Sequence, residues 1–214
     1  VMNRRHKENT NLITIPACSF EGMYELKNNY KMVQQYLLQA ERVMSKARND
    51  FRRVTMIRFD LRFPFFWDLE VFPYGGLISD FFTRLNYALD VDSQAKGRRN
   101  RLRYVWTREF GEVSDRPHYH VTIFVNGDLY RPFRYFQPGA KSLPGMIIQA
   151  WADALGIVGW EAEGLVYSPS RGAMSFSADN YQSQLQAFQR MSYLCKVRTK
   201  RYGDGNRNFG CSFN

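Results

Sequence analysis

Arg116-Pro117-His118-Tyr119-His120-Val121-Thr122-Ile123-Phe124-Val125-Asn126 is the stretch on which the fold turns. Tyr119, Val121, Ile123 and Val125 fall on every second residue, so they form the apolar face of a strand and belong on a core. His118 and His120 then point together from the opposite face. They are two of the three histidines in the chain, and two imidazoles on one strand face are well placed to hold one cation.

Upstream, Arg103 to Glu109 reads as a second strand, joined to the first by a turn containing Gly111, Ser114, Asp115 and Pro117, which predicts an antiparallel hairpin. Glu109 ends that strand on the face of Val105 and Thr107 and is the expected third ligand; Glu112, in the turn, is the alternative. Two nitrogens and one carboxylate oxygen, with other positions open for water and a phosphate oxygen, suit Mn²⁺ or Mg²⁺ better than Zn²⁺. An H-x-H pair on a strand also occurs as plain sheet surface.

Further outward, Val54 to Phe63 alternates, with Thr55, Ile57, Phe59 and Leu61 on one side and Met56, Arg58, Asp60 and Arg62 on the other. Apolar residues at three- and four-residue spacing predict helices from about Tyr24 to Phe51, from Leu77 to Leu89, from Pro144 to Leu155 and from Asp179 to Lys200. Pro64 and Pro73-Tyr74-Gly75-Gly76 break the chain, residues 90 to 102 read as a polar loop, and a short strand falls near Leu165 to Ser168. The expectation is an α+β fold: an antiparallel sheet of about four to five strands, helices packed on one face, and a tyrosine-bearing helix near the C-terminus. Residues 1 to 52 read as a loose arm (1 to 22) and an amphipathic helix packed outside the sheet, and 53 to 214 as the functional domain.

On the last helix Phe188, Met191 and Cys195 mark the apolar face, whereas Gln189, Tyr193, Lys196 and Lys200 share another arc, making Tyr193 and Lys196 neighbours. A tyrosine oxygen attacks a phosphodiester well only when its proton is removed or positive charge is at hand, which Lys196 and a metal supply. Tyrosine and lysine also sit on helix rims for no chemical reason.

The formal charge of +10 and pI near 9.6 favour polyanionic partners. Lys96, Arg98, Arg99, Arg101 and Arg103 form one basic run, and Lys196, Arg198, Lys200 and Arg201 another; both fit a nucleic-acid backbone, and both also fit solvated faces. Phe124, Trp106 and Tyr104 are candidates for base stacking, with core packing the competing role. Cys18, Cys195 and Cys211 cannot build a disulfide framework, and no apolar run is long enough to span a membrane, so a reducing cytoplasm is expected.

Residues 116 to 127 resemble the HUH motif of rolling-circle replication initiators, Ser-Tyr-Leu-Cys-Lys (192 to 196) resembles their Tyr-x-x-Lys motif, and the glutamate of Trp-Thr-Arg-Glu (106 to 109) sits where such proteins carry a metal ligand. Among these the chain is most similar to the inovirus-type replication proteins of filamentous phages, prophages and satellite elements, over roughly Val54 to Ser212, including Arg-Asn-Phe-Gly-Cys-Ser (207 to 212). The resemblance implies an RRM-like HUH fold, a divalent metal on His118, His120 and Glu109, Tyr193 as nucleophile and Lys196 holding the phosphate. It implies nicking of single-stranded or hairpin origin DNA, a 5′-phosphotyrosine and a free 3′-hydroxyl that primes synthesis. Val197 stands one turn after Tyr193 and the nearest other tyrosines are Tyr181 and Tyr202, so a one-tyrosine enzyme is expected, a monomer or weak dimer that terminates through a second subunit. With no G-x-x-x-x-G-K-[ST] phosphate loop, unwinding falls to a host helicase, or to sequence beyond Asn214, and synthesis to a host polymerase.

Three rivals remain. A 2H phosphoesterase matches His120-Val121-Thr122 but lacks a second such pair, and a histidine-triad hydrolase lacks its third alternating histidine, where Thr122 stands. A non-catalytic RRM-like nucleic-acid-binding module needs neither metal nor Tyr193.

Overall fold

The computed structural model describes residues 4–16, 20, 30–68, 75–133, 136, 141–170 and 172–213. Cys18, the Pro73-Tyr74 break and the expected start of the first helix at Tyr24 lie outside them.

The alternating stretches form the strands that the pattern demands. β4 (Arg53–Arg62) pairs along its whole length with β6 (Pro117–Asn126), which pairs on its other side with β5 (Arg103–Phe110), all antiparallel. Beyond β5 lies β9 (Phe209–Cys211), and the free edge of β4 is shared by β8 (Ala173–Ser177) and β7 (Val166–Tyr167). The sheet thus has six strands rather than four or five. The two extra strands, β8 and β9, are too short to show an alternation.

The sheet is covered on both faces, which corrects the expectation of one. Ile57, Phe59, Leu61, Tyr119, Val121, Ile123 and Val125 share a core with α2 (Leu77–Ala95) and α3 (Leu143–Leu155). Val54, Met56, Val105 and Phe124 share a second core with α1 (Gln34–Asp50) and α4 (Tyr181–Ser192). The side of β4 read as polar is apolar for its first half (Val54, Met56) and polar only from Arg58 onward. α1 and α4 cover the apolar half, and the polar half remains for chemistry.

Local signals set the helix ends. Ser142 accepts from Gly145 N at the start of α3, and Gly156 closes it at φ 69°. α2 runs on to Ala95, into the expected loop, because Leu89 and Ser93 are buried and Lys96 pairs with Asp92 at 2.7 Å. α4 ends at Ser192, and Tyr193–Cys195 form a tighter 3-10 turn, so Tyr193 lies beyond the helix proper.

The described part of the arm is not loose: β1 (Arg4–Arg5), β2 (Ile13–Ile15) and β3 (Met32–Val33) make a small antiparallel sheet. Met32 bridges Lys196, and Val197 N donates to Lys31 O at 2.8 Å, tying this sheet to the segment after Tyr193. No described helix is long and apolar enough to cross a membrane.

Candidate metal and tyrosine site

Strand register assembles the site. Glu109 lies opposite His118, Thr107 and Asp60 flank His120 from either side, and Arg62 lies opposite His118. Residues directly opposite in antiparallel strands share a face. Asp60, Arg58, Arg62, Glu109, Thr107 and both histidines therefore point to the side that carries Tyr193.

His118 Nε2 lies 3.2 Å from His120 Nε2, which lies 3.3 Å from Glu109 Oε2. Donor atoms about 2.1 Å from a common ion stand about 3 Å apart, so this spacing fits a divalent cation. Asp60 Oδ1 is 2.5 Å from His120 Nδ1 and fixes the proton there. Protonated at both nitrogens, the ring donates from Nε2 to Glu109; protonated at Nδ1 alone, it leaves the Nε2 electron pair free for a cation. Burial alone disfavours a charged His120, but its bonds to Asp60 and Glu109 outweigh this and raise its pKa. His118 is shifted the other way, by burial and by the charge of His120.

Glu109 is 1% exposed and heavily partnered. Lys200 Nζ donates to its Oε1 at 2.8 Å, Lys196 Nζ lies 2.9 Å from its Oε2, and Thr199 Oγ1 donates at 2.6 Å. Burial would raise this carboxyl; the His120 hydrogen bond and the charges of Lys200, His120 and Lys196 instead hold it well below the usual carboxylate range. Thr199 holds φ 70°, a costly conformation for a β-branched residue. Among the described residues no group of three or more His, Cys, Asp or Glu forms a metal cage as it stands. For Glu109 Oε2 to meet a cation, Lys196 must release it and keep its other partner.

That partner is the tyrosine. Lys196 Nζ donates to Tyr193 Oη at 2.6 Å, and the Tyr193 ring lies 6.1 Å from the His120 ring. Phe188, Met191 and Cys195 are buried as the helical pattern requires, which turns the partly buried Tyr193 toward the polar half of the sheet. Arg58 stacks its guanidinium carbon 4.4 Å from the Tyr193 ring centre, and Tyr30 packs edge-on at 6.1 Å. Asp60, Arg58, Tyr30 and Thr199 escaped the sequence reading. Only the β4 residues carried a signal there, as polar members of one face.

Other expected residues fall elsewhere. Arg103 is buried and binds Asp50 at 2.7 Å, and Lys200 is buried on Glu109, so neither is an exposed DNA contact. Arg98, Arg99 and Arg101 are exposed, but they precede β5 at the end of the sheet remote from Glu109, six residues or roughly 20 Å along the strand. Arg198 pairs with Glu112 at 2.7 Å, both side chains being more than half exposed, and Arg201 pairs with Asp115. Phe124 and Trp106 are core residues, and Tyr104 stacks on Phe82 at 3.6 Å. Tyr181 starts α4, a helix's length from Tyr193. Tyr202 is held 3.3 Å from the Tyr36 hydroxyl, and burial pushes its own hydroxyl pKa up.

Comparison with known proteins gives a consistent family. The chain is 32% identical over 197 residues to YfjJ of Escherichia coli (strain K12), covering 84% of this chain and 94% of that protein. It is 30% identical over 195 residues to YagK of the same organism, covering 84% and 93%. Both relatives are described as uncharacterized. No solved structure matches. A model of the YagK/YfjJ C-terminal domain matches residues 17–212, and the chain belongs to that family.

Proposed function

We propose that this chain nicks and rejoins one DNA strand at a replication origin, as an RRM-like HUH endonuclease that initiates rolling-circle replication of a phage or mobile element. The observation that carries the reading is the convergence of His118 Nε2, His120 Nε2 and Glu109 Oε2 within 3.3 Å steps, with the Tyr193 ring 6.1 Å from His120. His118, His120 and Glu109 would hold a divalent ion, Mn²⁺ or Mg²⁺, which supplies positive charge to a phosphoryl oxygen.

The chain's own groups do the rest. Asp60 orients His120, and Lys200 and Thr199 fix Glu109. Lys196 and Arg58 hold the phenol and bring positive charge to the phosphate, where charge grows in the transition state. Tyr193 Oη gives up its proton to solvent and forms the bond to phosphorus, and the 3′-oxygen departs with the electron pair and takes up a proton from solvent, so no net proton is gained or lost. Rejoining is the reverse attack, and the phosphotyrosine keeps the bond energy, so no nucleotide cofactor is needed. With Tyr193 as the one attacking tyrosine, the chain would act as a monomer or weak dimer with a host helicase and polymerase in a bacterial cytoplasm.

A second reading, a non-catalytic RRM-like nucleic-acid module, is favoured by the two lysines that occupy both Glu109 oxygens. One assay separates the two: origin-containing single-stranded DNA with Mn²⁺ is resolved on a denaturing gel. A nickase yields a covalent adduct that Tyr193→Phe and His120→Ala abolish while DNA affinity largely persists. A binding module yields a mobility shift and no adduct.

A further inference from the structure

Past His118 the site opens into a cleft of about 520 Å³ at the end of the sheet, lined by Arg62, Phe65, Ser114, Arg116, His118 and Leu165 among others. Among the described residues that line it, the ionisable ones are Arg62, Arg116 and His118. Phe65 is 90% exposed and the adjacent Phe66 75%. Two neighbouring phenylalanines standing in water are costly unless something stacks on them.

They are not carried on a loose loop. Arg116 Nη2 donates to Pro64 O at 2.8 Å and to Trp67 O at 3.1 Å, so one guanidinium clamps both ends of the turn bearing the pair. Its Cζ also lies 5.7 Å from the Phe65 ring. Arg62, also in the lining, has its guanidinium carbon 4.8 Å from the ring centre of Tyr167, a half-exposed residue outside that lining. Aromatic faces interleaved with guanidinium groups match one ligand chemistry: unpaired bases on a phosphate backbone.

We infer that this cleft binds the unpaired nucleotides of a single DNA strand adjacent to the phosphate at Tyr193, with Phe65 in its lining and the exposed Phe66 beside it as stacking faces and Arg62 as the backbone contact. The inference rests on the nickase reading for the identity of the phosphate; the aromatic cleft itself does not depend on it. His118 belongs to both, so a strand leaving the metal site enters the cleft directly. A duplex hides its base faces and is excluded.

The test uses the full chain and a short single-stranded oligodeoxynucleotide with one internal aminopurine, and the matching duplex. Phe65→Ala/Phe66→Ala is expected to weaken single-strand binding at least about fivefold, the lower end for one lost stack. It should also restore the quenched aminopurine fluorescence and leave duplex binding and thermal unfolding unchanged. Unchanged affinity and quenching overturn the cleft, even if the Tyr193 adduct forms normally. Equal losses on single strand and duplex also overturn it. The expected loss in a protein that makes no adduct at all keeps the cleft and removes the nickase.

Discussion

Replacing Asp60 by asparagine tests the geometry of the proposed metal site without touching a proposed ligand. The side chain keeps its shape, and its amide oxygen still accepts the His120 Nδ1 proton, now 2.5 Å from a carboxylate oxygen. What disappears is the negative charge behind an imidazole that, like Asp60, is only 8% exposed. Partners of this kind are worth about 10- to 100-fold in metal affinity, or about 1.4 to 2.7 kcal/mol. Mn²⁺ affinity, measured calorimetrically or from the free-ion paramagnetic signal, should fall within that range. Adduct formation should fall at limiting Mn²⁺ and recover when the ion is in excess. Asp60→Ala, which also frees the ring, should fall further. Mn²⁺ binding that is unchanged in both variants, or that survives His120→Ala, refutes the argument.

Arg58→Gln should reduce the salt dependence of single-strand binding by about one ion, because it removes one phosphate contact, whereas a neutral substitution of Arg98 should leave adduct yield at saturating DNA unchanged. Gly210→Ala places a Cβ 2.6 Å from the Trp106 ring, and the overpacking should cost about 1 to 3 kcal/mol in thermal unfolding. Arg108→Met leaves the buried Asn208 and the exposed Asp204 without the guanidinium that reaches them at 2.9 Å and 2.6 Å, and should destabilise the protein by about 1 to 3 kcal/mol. Arg108 holds the Asp204 carboxyl below its ordinary value, so that contribution is complete above the unfolded value near pH 3.9 and is lost as pH falls through the lower folded value. Acid unfolding of Arg108→Met should accordingly lose this component.

The three central strands were legible because their alternation is strong and local; α3 was legible because its apolar residues recur at three- and four-residue spacing. β8 (Ala-Met-Ser-Phe-Ser) and β9 (Phe-Gly-Cys) were not, since each is defined by its partner rather than its own pattern. The second helical layer was hidden by a face of β4 that changes character at Arg58. At the site, His118, His120 and Glu109 followed from which face each occupies. Asp60 needed the β4–β6 register, which sets it against His120 across 60 positions of sequence and leaves no trace in either strand alone. Lys200 misled for a related reason: the chain leaves the helix at Ser192, so a basic residue counted on a helical arc is carried into the interior instead.

The bridge between Met32 and Lys196 joins segments far apart in the chain. The three central strands, β4, β5 and β6, are all synthesised before Tyr193, both lysines and β9. The proposed centre is therefore completed only after the sheet that carries its histidines, and chains truncated before Tyr193 should form no covalent adduct with DNA.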